Sequence, residues 1–268
     1  MLNFRRCLIF VLCGLAFTQG VFADEVRNTD QSPFTIVLLG PPGAGKGTLA
    51  SRLEKSEGIP VVTVSQVLKN QMAQNAGLKE KVKALMDSGQ FVPDAIITEV
   101  LEKELKQEKY AKGVIFDGFP RTIAQCDFFK DSDRQIDLFV VLDMSDDAII
   151  KRMQGRRVHM ASGRMYHIET MPPKVEGQDD VTGEALVQRE DDREDIVKAR
   201  LQDYHEKTEP IIGWAIQENE NKEGLVKNLV TVDVEASFDQ VLQSLCQKMK
   251  KKGLGMKVCT LGSEVNKA

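Results

Sequence analysis

The chain has 268 residues, 42% of them hydrophobic and 28% charged, which is enough apolar material for a full core and excludes a polar disordered chain. A formal charge of −4 excludes a surface built to coat nucleic acid, so any basic site must be local. One domain carrying insertions is the default at this length.

Residues 1–23 pose a separate problem. Arg5 and Arg6 precede an almost wholly apolar run at 7–17, and Val21, Phe22 and Ala23 lead into Asp24 and Glu25. A basic start, a short apolar stretch and an alanine-ended cleavage site describe a secretory signal peptide. The run is too short to span a bilayer, and neither Cys7 nor Cys13 follows the small residue that lipid attachment wants. Cleavage after Ala23 leaves Cys126, Cys246 and Cys259, an odd number far apart and no disulfide framework. At most Cys246 and Cys259 could pair in an oxidising compartment, and that pairing is not expected to matter for the fold.

Residues 24–33 read as a flexible leader. The strand expected at 34–39 is too apolar to be half exposed, which places it centrally in a parallel sheet. It runs into Gly40-Pro41-Pro42-Gly43-Ala44-Gly45-Lys46-Gly47-Thr48, and a helix follows at 49–54. Strand, glycine-rich turn and helix N-terminus make an anion site, because small residues let backbone N–H groups wrap phosphate oxygens and the helix dipole adds positive potential. Lys46 would reach the terminal phosphates of a nucleoside triphosphate. The usual motif puts Ser or Thr directly after the lysine as a magnesium ligand; here that place is Gly47, and the hydroxyl comes at Thr48.

A second strand is expected at 60–64, with Ser65 capping a helix at 66–74, a further helix at 78–87, and another opened by Pro93 and Asp94 and running to about 107. The third strand, 113–118, carries Asp117 near its carboxyl edge, where a magnesium-associated carboxylate belongs in phosphoryl-transfer enzymes. A fourth strand at 138–144 and a fifth at 229–234 complete an alternation of strand and helix. That alternation implies a five-stranded parallel α/β sheet with helices on both faces and ligands in the crevice at the strand ends. Residues 155–192 break the pattern with Ser162-Gly163, Pro172-Pro173, Gly177 and Gly183, an insertion that reads as a small β lid. A charged helix is expected at 192–207, the domain proper ends near 250, and the lysine-rich end at 251–268 reads as a flexible tail.

Three motifs now stand in order: the glycine turn, Asp117-Gly118-Phe119-Pro120-Arg121-Thr122, and Gly155-Arg156-Arg157-Val158-His159. Together they make the chain similar to long-lid adenylate kinases, nucleoside monophosphate kinases of the P-loop class, over about 34–244. The resemblance implies that Gly43, Ala44, Gly45, Lys46, Gly47 and Thr48 hold the ATP phosphates, and that Mg2+ arrives with the nucleotide. Arg152 would lie against the adenine, Arg156 would meet the phosphates from the lid base, Met165 and Tyr166 would close over the nucleotide, and backbone near Ala236 would touch the base. Residues 63–92 would form the monophosphate-binding part. Val64, Lys69, Gln90, Phe91, Val92, Gly118, Phe119, Pro120, Arg121 and Gln125 would make the AMP side, with Gln125 reading adenine. Arg189 and Arg200 would clamp the group in flight. Phosphoryl transfer asks for this surplus of fixed cations and no covalent nucleophile. The implied partners are ATP and AMP, with no nucleic acid and no membrane anchor once the signal is removed, and with a monomer as the default state.

Some relatives hold this lid with zinc. Here the four positions are His159, Ser162, Asp179 and Thr182, the lid has no cysteine, and hydroxyls are poor zinc ligands. A hydrogen-bonded cluster without zinc is expected instead. Two further departures bear on the acceptor: Val64 stands where the family has a threonine that contacts the AMP base, and Lys69 stands where an arginine grips its phosphate. A lost hydrogen bond costs about 1 kcal/mol, and lysine keeps the charge but not the bidentate fork. A kinase for UMP or CMP is therefore an alternative, as is an exported nucleotide- or partner-binding protein with weak catalysis.

Overall fold

The computed structural model describes residues 33–87, 92–132 and 134–261. The expectations for residues 1–32, for Gln90 and Phe91, and for residues 262–268 lie outside them. In chain order the first half contains β1 (Phe34–Leu39), α1 (Lys46–Glu57), β2 (Val61–Thr63), α2 (Val64–Gln74), α3 (Ala76–Asp87), α4 (Asp94–Leu105), β3 (Gly113–Asp117), α5 (Ile123–Asp131) and β4 (Leu138–Asp143). The second half contains α6 (Asp146–Gly155), β5 (Arg156–Val158), β6 (Met165–His167), α7 (Glu194–Asp203), α8 (Pro210–Glu220), β7 (Leu229–Asp233), α9 (Phe238–Lys251) and α10 (Val258–Leu261).

Five strands pair in parallel in the order β2-β3-β1-β4-β7. The apolar runs of β1, β3 and β4 are buried on both faces and the period of two divides them between two cores, whereas the edge strand β7 alternates buried and exposed residues. On β1, Val37 and Leu39 face one core while Ile36 and Leu38 face the other; Phe116 and Ile115 divide β3 in the same way. The first core holds α4, α5 and α8, and the second holds α1 and α9. Within the first, Phe116, Phe119, Phe128 and Phe129 pack with ring centroids 5.3 to 6.1 Å apart. Edge and tilted aromatic contacts of this kind add about 0.5–1.5 kcal/mol per pair beyond area burial. They pin the turn between β3 and α5, which carries Asp117 and Arg121.

Three expected boundaries move. Helix α2 starts at Val64 directly after β2, and Thr63 rather than Ser65 stands at its cap position, with no side-chain cap bond. Val64, Val67 and Leu68 pack on the first core, and that packing overrides the strand preference of valine. The helix expected at 192–207 ends at Asp203 and widens into a π-turn at Tyr204–Thr208, where the Glu209 N–H donates to the Tyr204 carbonyl at 2.8 Å. Pro210 has no N–H to continue the ordinary ladder, and the wider turn absorbs the mismatch.

The third change is at the carboxyl end. Residues 251–261 are folded, not a loose tail. Met256 and Val258 are buried in the second core, the Val258 N–H donates to Glu57 Oε1 on α1 at 2.7 Å, and Cys246 and Cys259 form a disulfide. Alternating Leu254, Met256 and Val258 give the segment its anchor. Closing a loop of this size removes unfolded-state entropy worth about 3 kcal/mol. Reduction, or the Cys246→Ser/Cys259→Ser variant, is expected to lower the unfolding free energy by that amount, read as an earlier midpoint in denaturant, with a slope no shallower than the parent's because the released unfolded chain exposes more surface.

Candidate active site

The carboxyl ends of β1, β3, β4 and β7 open on one cleft of about 1010 Å³. Chain crossovers leave β1 to one side and β3 to the other, so the crevice lies at the switch point of the strand order. The glycine turn fills its floor. Gly45 stands at φ 92°, a left-handed conformation that only glycine adopts without strain. Gly43 stands at φ 84°, and a Cβ there would come within 2.7 Å of the Met153 sulfur. Lys46 Nζ donates to the Gly40 carbonyl at 2.6 Å and the Pro41 carbonyl at 2.8 Å. An ammonium has three donors, so one is left for a phosphate oxygen.

Burial pushes the Lys46 ammonium down to about 8, against the pull of Asp117 and with help from Arg121 and Arg200. Burial also raises the Asp117 carboxyl, opposed by Lys46 and Arg121, and lowers Arg121, reinforced by Arg200. Three cations and one carboxylate therefore share the cleft, Lys46 and Asp117 half-buried and Arg121 and Arg200 exposed, and a polyanion would relieve the repulsion among the cations. A titration of activity follows from this. Lys46 must be charged to hold phosphate, and its folded-state value lies below the ordinary one. Donor kcat/KM is expected to fall as pH rises through about 8, a loss absent in Lys46→Arg, whose guanidinium stays charged.

The same cleft gathers Gly43, Ala44, Gly45, Gly47, Thr48, Asp117, Gly118, Arg121, Arg152, Arg156, Met165, Tyr166, Arg189, Arg200 and Ala236. Arg152 on α6 donates to the Val234 carbonyl at 2.6 Å, beside Ala236. Arg156 forms a two-pronged pair with the fully buried Asp192, its Nε 2.8 Å from Oδ2 and its Nη2 on Oδ1. Two of its five donors are used, and the rest remain for phosphate. Arg189 pairs with Asp191 at 3.2 Å. Arg157 turns away and donates to the carbonyls of Gln154 and Arg156.

Of the residues that the resemblance gives to the acceptor side, Gly118 and Arg121 line the cleft. Val64, Lys69, Val92, Phe119, Pro120 and Gln125 are not among the residues that line the cleft. Val64 and Val92 pack on the first core, Phe119 is one of its fully buried aromatics, and Lys69 is exposed. The Gln125 amide is engaged within the protein: its Oε1 accepts the Arg121 N–H at 2.8 Å and its Nε2 donates to Asp94 at 2.7 Å. Thr63 and Ser65 face the cleft in place of these residues.

In the lid, β5 and β6 pair antiparallel. His159 Nδ1 lies 2.7 Å from Ser162 Oγ, and Thr182 donates to Asp179 Oδ2 through both its N–H (2.9 Å) and its hydroxyl (3.0 Å). Two partners not anticipated complete this cluster. Arg164 grips Asp179 at 2.7 and 2.6 Å and holds its carboxyl well below the usual range, and Glu184 meets His159 Nε2. The Tyr166 hydroxyl also donates to Asp179 at 3.0 Å, which ties this cleft-lining side chain into the lid cluster. At the lid base a Cβ on Gly155 would fall 2.3 Å from His167 Nε2, which explains the glycine before the two arginines. Reading the sequence missed Asp94, Asp192, Thr208 and His167. The two acids showed only as charges at helix starts, and nothing in their spacing named their partners.

A phosphate-cradling turn at a switch point, ringed by arginines from a helical side and from a β lid, defines a nucleoside monophosphate kinase of the P-loop class. The adenylate kinase family model matches residues 38–220, more than half of the chain. The chain belongs to the adenylate kinase family.

Proposed function

We propose that this protein transfers the terminal phosphoryl group of ATP to AMP, giving two ADP. The observation that carries the reading is the convergence of Lys46, Arg121, Arg200 and Asp117 at the end of the sheet, on the cleft that the lid arginines share. An acceptor phosphate oxygen attacks the terminal phosphorus in line, and the bond from that phosphorus to the bridging oxygen of the leaving ADP breaks. The protein's work is alignment and neutralisation of the three equatorial oxygens. Asp117 suits Mg2+, because its carboxylate at the β3 end faces the first turn of α1, its Oδ2 3.4 Å from where a Gly47 Cβ would stand. Held there beside the nucleotide, the ion would supply further neutralisation between the phosphates. Lid residues would exclude water, which competes with the monophosphate as acceptor.

The test is a panel of initial rates with AMP, UMP, CMP and GMP against ATP and GTP. A tenfold preference for AMP supports the reading, and a tenfold preference for a pyrimidine replaces it with the second. That second reading draws on Val64, which has no hydroxyl for a base, and on the Gln125 amide, which is already engaged by Asp94 and Arg121. The reading also includes export as a monomer after removal of residues 1–23. The Cys246–Cys259 disulfide supports an oxidising compartment, and among the described residues no helix is long and apolar enough to cross a membrane. N-terminal sequencing of fractionated cells checks this: a start at Asp24 is expected, and Met1 in the cytosol rejects it.

A further inference from the structure

We infer that Asp94, outside the cleft, is a positioning residue for Arg121 and so for the acceptor phosphate. The inference rests on the reading that this cleft serves a monophosphate acceptor. Asp94 heads α4, whose Ile96, Ile97, Val100 and Leu101 are buried in the first core, so its carboxylate is carried by a fixed element. Both oxygens are used. Oδ1 accepts from Gln125 Nε2 at 2.7 Å, and Oδ2 accepts from Thr122 Oγ1 at 2.9 Å. Thr122 Oγ1 in turn accepts the Gln125 N–H at 3.2 Å and caps α5. Gln125 Oε1 accepts the Arg121 N–H at 2.8 Å.

The polarity of this relay is set by Asp94. A carboxylate only accepts, so the Gln125 amide must turn its NH2 toward Asp94 and its oxygen toward Arg121. Reversed, the amide would set donor against donor at the Arg121 N–H. From the other side, Thr208 Oγ1 donates to the Arg121 carbonyl at 2.9 Å, and the Arg121 Nε donates to the Gly118 carbonyl at 2.9 Å. The backbone of Arg121 is thus gripped at both its N–H and its carbonyl. Its guanidinium is aimed beside Lys46 and Arg200 by a residue that does not line the cleft. Charge-assisted hydrogen bonds to a carboxylate are about twice as strong as neutral ones, so the relay holds where a neutral residue would let the amide flip.

Asp94→Asn keeps the shape but offers one acceptor in place of two, and Asp94→Ala offers none. Acceptor KM is expected to rise about fivefold in Asp94→Asn and at least as much in Asp94→Ala, with donor KM within twofold of the parent. The 1H–15N signal of the Arg121 Nε–H, assigned by its loss in Arg121→Lys, should shift or broaden in nucleotide-free Asp94→Asn. An unmoved signal overturns the inference, and so does a moved signal with acceptor KM unchanged, or donor and acceptor KM rising together. A parent that phosphorylates no monophosphate would defeat the kinase reading separately, and the Nε signal would then decide the role of Asp94 alone.

Discussion

Lys46→Met is expected to lower kcat by about 10²–10³-fold, the cost of losing one preorganised charge in a desolvated site. The chain should still fold. The substitution gives up two hydrogen bonds to the Gly40 and Pro41 carbonyls, each worth about 1 kcal/mol net. It also removes an ammonium that burial already disfavours. Single-turnover rates with AMP and Mg–ATP check the first statement, and denaturant unfolding checks the second. A variant that turns over like the parent would mean that the glycine turn is not where phosphate is held. Arg121 and Arg200 keep the site cationic in this variant, so a residual rate well above solution is consistent with it.

Arg156→Met is expected to injure stability and activity together, for separable reasons. Asp192 is fully buried and its carboxylate meets the Arg156 guanidinium at both oxygens. Removing one partner of a buried pair leaves an uncompensated charge and costs about 3–5 kcal/mol. Arg156→Met/Asp192→Asn removes that charge, and should recover most of the lost stability while leaving the phosphoryl-transfer rate low. If the double variant recovered the rate as well, Arg156 would be a lid-base strut with no part in holding phosphate. If neither variant lost stability, the pair would be open to water and not the buried contact seen here. The two readouts, unfolding midpoint and kcat, therefore divide structure from chemistry at a single residue.

These expectations draw unequally on sequence and structure. The phosphate cradle was legible because its chemistry is local: a strand, a run of small residues, a lysine and a helix start are contiguous from Phe34 to Thr48, and the backbone alone makes the anion site. The sheet was legible for a related reason. Strands buried on both faces must be apolar along their interior, and β1 at 36–39, β3 at 114–116 and β4 at 138–142 are. The two arginine motifs were legible as short runs in which glycine and arginine stand together, with a proline in the first, at 118–121 and 155–157.

What stayed hidden depends on residues far apart in the chain. The start of α2 at Val64 was decided by packing on the first core, against the local preference of valine. The folded carboxyl end was decided by three apolar side chains reaching α1 and by a disulfide whose half-cystines the count of cysteines had set aside. The hydrogen bonds of Gln125 to Asp94 and Arg121 and of Tyr166 to Asp179 join residues far apart in the chain or in separate turns, and no spacing announced them. By itself the sequence determined the class of chemistry, because a phosphate nest and a surplus of cations are written in short stretches. Only the tertiary structure decided which donors remain free to meet a ligand, because a hydrogen bond or ion pair between distant residues leaves no trace in the spacing of either partner.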